Sequence, residues 1–549
     1  MSSSDLPRTQ RAVELVGPDQ LRLNPAKPVP PPGAHQVLCR VEAVGLCFSD
    51  LKLVQQFAAH PRKSEVISGV DREVLARLPS YVPGELPTSP GHEAVVRVAA
   101  VGDGVTAYRL GERYLIQADY RWLPTARANA AFGYNFAGAL QEYVLFDERV
   151  IISPEGECAL IPVSESPSAS ALALVEPWAC VEHAYASPER QGMKGPEGRR
   201  ALCAEAPSVR GSARPYRIPL PEGGLRWSGS AAELRREPDQ WFDDIAYLGG
   251  SADKVERLFP KLAPGGILYL ALGGGRFHRP VSVPVGRVHY QGIRIAGTVG
   301  SAGPEVMAHI PPSAEIRPGN RVHIVGAGGP MGVMHVVRAL SSGVPGIQVF
   351  AGDTDESRLA ALARLAAPLA EKHGVAFQTY NPTMGPAPGP FDYLALMVPA
   401  PALVAEAAEQ AAEGAIINLF AGIPAEVSAA LDLNAYLEKH CYLTGTSGSE
   451  IRDMKTVLHK LERGLLDTNL SVAAVGGLEA GIEGIRSIER REIAGKIVLY
   501  PACRELPLIR LNEMQARLPE VAALLRDGTW TPEAERALLQ AYETERPKR

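Results

Sequence analysis

The sequence predicts a multidomain chain of the α/β class with an additional domain built from β-strands. Between about Arg11 and Val163, short strand-like runs alternate with Gly and Pro, a pattern typical of small antiparallel domains. From Arg321 onward, an apolar strand, a glycine-rich turn, a helical run and a second strand follow in order, which indicates an α/β unit. Two segments that resemble each other at a constant spacing predict a second such unit upstream.

Length and composition set the broad class. With 549 residues, the chain is too long for one hydrophobic core and predicts about three to four domains. Its hydrophobic share of 46% and charged share of 21% are typical of globular proteins. The net charge of −5, without a long basic run, argues against nucleic acid as a partner. No apolar run approaches the ~20 residues that cross a bilayer, so no membrane partner is expected.

The cysteines bear on the cellular compartment. There are seven, an odd number, and their spacing shows no disulfide framework. The start of the chain is polar and has no apolar signal core. Together these features predict a protein of the reducing cytoplasm.

The predicted β-domain rests on its strands. Val37–Val44 and Ala94–Val98 are strand-like, with Gly and Pro bounding the pieces between them. The pattern becomes helical around Ser170. Two stretches rich in Gly and Pro, residues 188–200 and 311–319, indicate domain boundaries.

The two similar segments share three short motifs. They are Phe242-Asp243, Pro264–Leu270 and Gly297–Ser301 upstream, and Phe391-Asp392, Glu413–Leu419 and Gly445–Ser449 downstream. Matching residues lie 148 or 149 positions apart, which predicts two α/β units in tandem. Glu205–Ser208 upstream aligns with the glycine turn Gly326–Gly329 downstream. A carboxylate and a proline oppose phosphate binding there, so the upstream unit is interpreted as structural.

The downstream unit carries the signature of a dinucleotide site. Its first strand ends at Val325, a glycine turn then opens a helix, and the second strand is followed by an aspartate. Bare backbone in such a turn admits a pyrophosphate, and the helix presents its partly positive N-terminus to that charge. The residues predicted to bind the cofactor are Gly326, Gly328, Gly329, Pro330, Met331, Gly332, Asp353 and Arg358.

Asp353 favours NAD over NADP, because a carboxylate binds the ribose hydroxyls and repels a 2′-phosphate. It lies 21 residues beyond Gly332, about the usual separation. Arg358 and Thr354 keep NADP open as an alternative. The first and last glycines of the turn, Gly326 and Gly332, lie six positions apart, whereas those of the usual dinucleotide-binding fingerprint lie five apart. A glycine-rich turn without a ligand is therefore the competing interpretation.

Four residues supply the ligand types of a catalytic zinc. Cys47 follows one predicted strand, His92 and Glu93 precede the next, and Glu176 lies at a domain junction. Thiolate, imidazole and carboxylate groups hold zinc in sites that keep one position open. Taken singly, these residues are equally well explained as a buried cysteine and solvated polar groups.

On these motifs the chain resembles the zinc-dependent medium-chain dehydrogenases/reductases, nearest the sorbitol, threonine and sugar-phosphate dehydrogenase branch. The matching stretches are Cys47–Asp50, Gly91–Glu93, Glu176-Pro177, Gly326–Gly332 and Gly445–Gly448. Three further stretches, His60–Arg62, Ile116–Asp119 and Glu176–Glu182, are similar to L-sorbose 1-phosphate reductase-type proteins. The resemblance covers about residues 11–195 and 317–505.

The resemblance implies an architecture. A GroES-like barrel forms the catalytic domain, a Rossmann domain binds the cofactor, and a second, degenerate Rossmann-like domain is inserted before it. The expected segments are 1–187 (catalytic domain, first part), 196–310 (degenerate domain), 311–446 (NAD(P)-binding domain), 447–505 (catalytic domain, returning part) and 506–549 (helical tail). In the tail, Thr531 is the expected cap of a helix that starts at Pro532.

The resemblance also implies a metal centre. Cys47, His92 and Glu93 ligate one catalytic zinc ion, and Glu176 is the fourth ligand or holds the metal-bound water. Asp50 orients the imidazole from behind, as metal-bound histidines commonly require. The four-cysteine cluster of a second, structural zinc does not occur in the corresponding sequence, so one zinc per chain is expected.

Two further residues belong to the implied proton path. Ser49 relays the proton of the substrate hydroxyl. Lys52 stands where many relatives carry a histidine that ends the relay. The lysine therefore contacts an anionic or polyhydroxyl substrate, or simply faces water.

The implied reaction is reversible, NAD(P)-linked oxidation of an alcohol. Aromatic residues make up only 6% of the chain, which favours a polyol, sugar or sugar phosphate over a long-chain alcohol. His60, Arg62 and Lys63 are candidates for binding a phosphate, or they form a basic loop in water. Two alternatives stay open: a zinc-free reductase of quinones or enoyl groups, and a nucleotide-binding scaffold without turnover.

The inserted domain suggests a role in assembly. In the family, two subunits often pair through the final strands of their cofactor domains, which correspond here to Ile293–Ser301 and Tyr442–Ser449. We therefore expect the two Rossmann units to form a pseudo-dimer within one chain. A homo-oligomer stays open as well.

Overall fold

The computed structural model describes residues 6–204, 225–300 and 305–543. The chain divides into two compact units, one built from residues 1–180 and 448–549 and the other from residues 181–447. Within the described ranges, no helix combines the length and the apolar character needed to cross a membrane.

The first unit is built on an eight-stranded, mostly antiparallel sheet. In spatial order its strands are Ile509–Arg510, Val472–Gly477, Lys496–Tyr500, Gln36–Leu46, Glu93–Val101, Arg113–Ile116 and Leu160–Val163, and Tyr143–Asp147 pairs beside Gln36–Leu46. Two hairpins accompany it, Thr9–Gly17 with Gln20–Pro28 and Asp119–Pro124 with Asn129–Ala131. The two strands predicted from sequence are confirmed, each slightly longer than expected. Their Val- and Ala-rich sequences are almost wholly buried, as suits the middle of a sheet.

The helices of the first unit are short. They are Phe48–Gln56, Arg72–Ala76, Glu148–Ile151, Ala169–Ala173, Ile451–Glu462, Gly481–Glu489, Met514–Arg517, Pro519–Ala522 and Pro532–Glu543, with 3₁₀ turns at Phe57–Ala59, Pro61–Lys63, Thr468–Ser471, Leu478–Ala480 and Leu511–Glu513. The helical run predicted from Ser170 is interrupted at Leu174, after which a new helix, Val175–Ala186, begins.

The tail is fixed to the first unit. Its helix Pro532–Glu543 begins as predicted, with the Thr531 side chain accepting a backbone N–H at 3.1 Å. The buried carboxylate of Glu535 accepts the N–H groups of Ala169 and Ser170 at 2.6 and 2.8 Å. A carboxylate is favourable at the positive end of a helix, so this contact docks the tail, whose role the sequence leaves open.

The second unit contains a six-stranded parallel sheet. In spatial order its strands are Ala376–Tyr380, Gln348–Gly352, Arg321–Val325, Phe391–Leu396, Ala411–Leu419 and Tyr442–Thr444. Pro330–Leu340, Glu356–His373, Pro401–Gln410 and Leu433–Glu438 are its helices in the described residues. Numbered along the chain, the order is 3-2-1-4-5-6, the order of dinucleotide-binding sheets. We call this sheet with its helices, residues 321–444, the downstream half.

A five-stranded parallel sheet lies upstream in the same unit. Its strands in spatial order are Leu225–Gly229, Arg199–Ala204, Phe242–Leu248, Leu262–Ala271 and Arg294–Thr298. The helices here are Ala231–Leu234, Ala252–Leu258, Val285–Gln291 and Glu305–Ala308, with a 3₁₀ turn at Phe259–Lys261. We call the sheet with its helices, in the described residues 199–204, 225–300 and 305–308, the upstream half. The degenerate turn expected at Glu205–Ser208 lies outside the described residues.

Candidate functional site

Antiparallel pairing brings three predicted metal ligands together in the first unit. Gly45, near the end of the strand Gln36–Leu46, pairs with Glu93, the first residue of the next strand in the sheet. Cys47 lies just beyond the first strand and His92 just before the second, so both side chains reach the same edge of the sheet. One potential ligand atom from each of Cys47, His92 and Glu93 lies within 4.8 Å of the others.

The donor set fits a zinc ion. Thiolate, imidazole and carboxylate are zinc ligands, and three of them leave a fourth position open. Oε2 of Glu93 is buried and has no hydrogen-bond partner among the described residues. Such an oxygen is costly unless a cation or a proton satisfies it. The cluster can therefore hold a metal through Cys47, His92 and Glu93.

Asp50 lies behind two of these ligands. Its carboxylate accepts the backbone N–H groups of Cys47 and Gly91 at 2.9 and 3.1 Å, and it lies 3.2 Å from Nδ1 of His92. Burial opposes the charge of Asp50, but His92 and the two N–H groups outweigh it, so its pKa is lowered. With Nδ1 held by an ionised Asp50, Nε2 is the nitrogen of His92 left for a metal.

Glu93 is paired with a buried cation. Nζ of Lys496 forms an ion pair with Oε1 of Glu93 and donates to the carbonyl of Leu46. The two charged side chains are only 3% and 0% exposed. Burial opposes the charge of the lysine, but Glu93 and Cys47 outweigh it and raise the pKa of Lys496. Lys496 therefore balances part of the negative charge that the ligands bring.

Glu176 and Cys180 border the cluster from a helix. Glu176 lies in the first turn of Val175–Ala186, and Sγ of Cys180, one turn later, is 3.7 Å from its Oε1. Burial raises the pKa of Glu176, with His92 acting in the opposite direction. Burial and then Glu176 raise the pKa of the Cys180 thiol. In the described residues the 4.8 Å group does not include Glu176, so its role as a direct ligand stays a prediction.

The two residues of the predicted proton path lie on the helix that follows Cys47. Oγ of Ser49 is 3.6 Å from Sγ of Cys47. Nζ of Lys52 lies 5.6 Å from the ring of Phe48 and acts electrostatically on His60. Ser49 is therefore close enough to the cluster to serve a hydroxyl bound there, whereas Lys52 lies further along the helix.

Aromatic rings connect the cluster to a group of cations. The ring of Tyr134 lies 5.7 Å from that of His92 and 5.0 Å from that of His60. Burial lowers the pKa of His60 to about 4, and Arg62 and other cations add to the effect. His60 is therefore neutral near pH 7, and the positive charge here belongs to the neighbouring side chains.

Arg62 is the cation nearest to Tyr134. Its guanidinium carbon lies 5.5 Å from the Tyr134 ring, and its Nη2 lies 3.2 Å from Asp119. Asp119 has the largest effect and raises the pKa of Arg62. Burial lowers this pKa, but Glu176 also raises it, so the pKa is raised on balance. Arg62 thus interacts electrostatically with Glu176, which in turn interacts with His92 and Glu93.

Lys63 does not join this group. It is fully buried, and its ammonium donates to the carbonyls of Val82 and Leu86. Burial lowers its pKa to about 7. The suggestion that Lys63 binds phosphate or faces water is wrong, because its side chain points into the protein and donates to the loop that contains Val82 and Leu86.

In the second unit, the predicted glycine turn joins a strand to a helix. Gly326 has a φ of 79°, and its N–H and that of Ala327 donate to the carbonyl of Gly352 at 2.8 and 3.0 Å. A Cβ on Gly332 would lie 2.3 Å from the Gly326 oxygen. Only glycine at these two positions allows the tight turn and the close approach of the helix.

The helix starts earlier than its sequence pattern indicates. Pro330 is its first residue and Met331 its second, where the pattern predicts a beginning at Val333. Proline is suited to the first helical position because it has no N–H to leave unpaired. A Cβ on Gly329 would meet nothing closer than 3.7 Å, so the space beside this helix N-terminus is open.

Asp353 and Arg358 border the turn. Oδ2 of Asp353 accepts the N–H of Gly328 at 2.9 Å. A Cβ on Gly328 would lie 2.6 Å from Cβ of Arg358, and the arginine Nε is 3.6 Å from Asp355. The acid favours NAD, while the nearby cation keeps NADP open.

One known protein family matches part of the first unit. The family of alcohol dehydrogenase GroES-like domains matches residues 33–155. The matched residues contain Cys47, Asp50, His92 and Glu93, together with the strands that position them.

Relatives and solved structures extend the comparison. The chain is 32% identical over 158 residues to an NAD-dependent alcohol dehydrogenase of Sulfurisphaera tokodaii, covering 25% of this chain and 38% of the relative. It is 27% identical over 255 residues to a mannitol-1-phosphate 5-dehydrogenase of Aliivibrio fischeri, covering 42% and 58%. The chain thus spans less than two thirds of the length of these relatives.

A solved structure shares the fold. The 2R,3R-butanediol dehydrogenase of Bacillus subtilis superposes with a TM-score of 0.53 at 15% identity, covering 90% of this chain and 100% of that one. At this level of identity the similarity concerns the fold alone.

Three residues beside the cluster were not singled out from the sequence. Lys496 begins a strand that is otherwise apolar, and a charge in such a strand is a signal for a buried partner. Cys180 follows Glu176 by four residues, which places both on one helix face. For Tyr134, no pattern in the sequence points to the site.

Proposed function

We propose that the protein is a zinc-dependent dehydrogenase that transfers hydride between an alcohol group of a polyol, sugar or sugar phosphate and NAD. The observation that carries the proposal is the cluster of Cys47, His92 and Glu93 within an alcohol dehydrogenase GroES-like domain. The glycine turn with Asp353 in the second unit supports the cofactor. The names of the relatives, which include an NAD-dependent alcohol dehydrogenase, support the reaction class.

The chemistry of the bound groups defines what the chain must provide. Zinc would supply a Lewis acid that lowers the pKa of the substrate hydroxyl, and NAD would accept the hydride. Cys47, His92 and Glu93 would hold the ion, with Asp50 fixing the orientation of His92. Ser49, 3.6 Å from the Cys47 sulfur, would accept the hydroxyl proton and pass it outward.

Glu176 is proposed to act beside the ligands. It is buried, its pKa is raised mainly by that burial, and it shares electrostatic contacts with His92 and Glu93. A carboxyl group in this position can ligate the ion or accept a hydrogen bond from water in the fourth position. Lys52 lies further out and is proposed to face the substrate rather than to end the proton relay.

The charges near the cluster favour a phosphorylated substrate over a neutral one. Besides burial, the positive charges of Arg62, Lys52 and Arg127 lower the pKa of His60, so that His60 itself is neutral near pH 7. One carboxylate, Asp119, neutralises Arg62 in part. A relative named mannitol-1-phosphate 5-dehydrogenase supports the same substrate class.

The compartment is proposed from the cysteines. None of the seven cysteines, all of which lie in the described residues, forms a disulfide, and one of them is the predicted ligand Cys47. A thiolate ligand is kept available in a reducing compartment, which favours the cytoplasm.

The test is a panel of polyols and sugar phosphates with NAD and NADP, followed at the absorbance of the reduced nicotinamide. We expect turnover with NAD that depends on bound zinc, and Cys47→Ser should abolish it. Cys158→Ser is the matched control, because Cys158 is also partly buried in the first unit but bonds only Tyr108 and the local backbone. Activity equal to wild type in the Cys47→Ser variant would exclude metal chemistry at this site.

The same panel separates the two alternatives. A zinc-free reductase would reduce quinones or enoyl substrates and contain no zinc in elemental analysis. A non-catalytic scaffold would bind NAD without turning over any alcohol. The unpaired Glu93 oxygen among the described residues favours the metal-dependent enzyme over both.

A further inference from the structure

A short ladder joins the two halves of the second unit. Val281–Val283 of the upstream half pairs antiparallel with Ala429–Leu431 of the downstream half. At its centre Ser282 lies opposite Ala430, and these residues are 148 positions apart, which is one of the two offsets, 148 and 149, that relate the repeated motifs. The flanking pairs, 281 with 431 and 283 with 429, exchange under that offset. An approximate two-fold axis therefore passes between Ser282 and Ala430.

A second set of contacts obeys the same symmetry. The side chain of Asn434 accepts the N–H of Phe277 at 2.9 Å and donates to its carbonyl at 3.0 Å. The upstream counterpart of Asn434 is Gly286, and it faces the backbone of Pro424 and Ala425, the counterparts of 276 and 277. A contact from i to j is thus matched by one from j to i, which is the property of an isologous interface.

A third contact lies between the last strands of the two sheets. Glu189 accepts two hydrogen bonds at 2.9 Å from Arg294 of the upstream half. The same carboxylate accepts the hydroxyls of Tyr442 and Thr444 of the downstream half at 2.7 and 2.9 Å. Arg294 and Tyr442 are again 148 positions apart. One buried carboxylate therefore binds equivalent positions of both halves.

We propose that the upstream half occupies the place that a second copy of the downstream half would take in a symmetric dimer. The chain carries its own partner for this face, so the face does not join two chains. The repeat supplies the matching surface, and the ladder, the Gly286 and Asn434 contacts and the shared Glu189 supply the interface. This inference does not depend on the metal centre or on the reaction.

The interface also discriminates between the two kinds of half. A Cβ on Gly286 would lie 1.9 Å from the carbonyl oxygen of Pro424, so only glycine fits there. The downstream half has Asn434 at the equivalent position. Two downstream halves placed in this way would force an asparagine into a space built for glycine, and such a clash acts against pairing between chains.

A disulfide at the symmetry axis tests the proposal in the full chain. Ser282 and Ala430 are exposed, and directly opposed residues of an antiparallel ladder have Cα atoms about 4.5–5.5 Å apart, within the range of disulfides. We expect Ser282→Cys/Ala430→Cys to form, on mild oxidation, a bond within one chain. Non-reducing mass spectrometry and peptide mapping should show the cross-linked pair at monomer mass, independent of protein concentration.

The controls are the two single variants, which should give no cross-link between positions 282 and 430. Cross-linking mainly between chains would overturn the proposal, because the face would then join two molecules. Reactive, uncross-linked thiols in the folded double variant would overturn it as well.

A second measurement covers the case in which the double variant does not fold. Gly286→Ala should lower the Tm by an amount on the order of 5 °C, because it overpacks the interface. Gly195→Ala is the matched control, since a Cβ there meets nothing within 4 Å. A Tm of Gly286→Ala equal to that of wild type would show that the close approach is absent and would refute the proposed interface.

Discussion

Asp50 is the residue whose replacement tests the architecture of the proposed metal centre most directly. Its Oδ2 accepts the N–H of Cys47, and its Oδ1 accepts the N–H of Gly91 and contacts Nδ1 of His92. Asp50→Asn keeps the size and one carbonyl oxygen. If that oxygen stays toward Gly91 and His92, the new amide NH₂ faces the N–H of Cys47, so two donors meet.

The expected size of the effect follows from this geometry. One buried backbone N–H is left without an acceptor, which costs about 1–3 kcal/mol. Removal of comparable groups behind a metal-bound histidine lowers metal affinity about 10–100-fold, which corresponds to about 1.4–2.7 kcal/mol. The unpaired N–H lowers the stability of the metal-free and the metal-bound protein alike, so only the second effect changes the affinity, and we expect Asp50→Asn to weaken zinc binding about 10–100-fold.

Competition with a chromogenic chelator measures the affinity, and circular dichroism verifies that the variant is folded. Asp71→Asn is the control, because Asp71 caps a helix of the first unit by accepting the Glu73 N–H at 2.8 Å and is not part of the cluster. Equal zinc affinity of Asp50→Asn and wild type would refute the assignment of Asp50 as the group that orients His92.

Three further predictions concern other parts of the molecule. Asp353→Ala should raise the KM for NAD by about 10-fold or more, because a charge-assisted hydrogen bond is worth about 1.5–3 kcal/mol; an unchanged KM in steady-state kinetics would contradict its role at the ribose. Lys496→Met should leave Glu93 charged and buried without its partner. The unfolding free energy of the metal-free protein, measured by urea titration, should therefore fall by about 3–5 kcal/mol. A free energy equal to that of wild type would contradict the buried ion pair. Burial opposes the charge of Glu189, but Arg294 outweighs it and lowers its pKa. The ionised Glu189 therefore stabilises the folded protein fully at pH values above the pKa of ~4.3 that a glutamate has in the unfolded chain. This stabilisation is lost as the pH falls through the lower pKa of Glu189 in the folded protein. In thermal melts, Glu189→Gln should reduce the fall of the Tm at acid pH. A pH dependence of the Tm equal to that of wild type would contradict this prediction.

The prediction from sequence was strongest where a local pattern carries its own physical cause. The strand Arg321–Val325 and the glycine turn that follows it form one local unit, because glycine allows the positive φ that the turn requires. The tail helix likewise begins at Pro532 with Thr531 as its cap. Each of these features depends on residues that are neighbours in the chain.

The prediction failed where neighbours along the chain do not decide the environment. Lys63 belongs to a basic segment, yet it turns inward to the carbonyls of Val82 and Leu86. Lys496 lies 403 positions from its partner Glu93, and although its apolar strand indicates a buried partner, nothing in that strand indicates which residue the partner is. Loop closure and packing, which act between distant segments, determine both.

The sequence by itself determined the types of the candidate metal ligands, the position of the glycine turn and the similarity of the two segments, since these are properties of residue identity and spacing. Only the tertiary structure decided that Gly45 pairs with Glu93 and thereby brings Cys47 beside His92. It also decided that Ser282 lies opposite Ala430. Strand register depends on the burial of whole faces and on hydrogen bonds between distant strands, and neither is written in any single stretch of the chain.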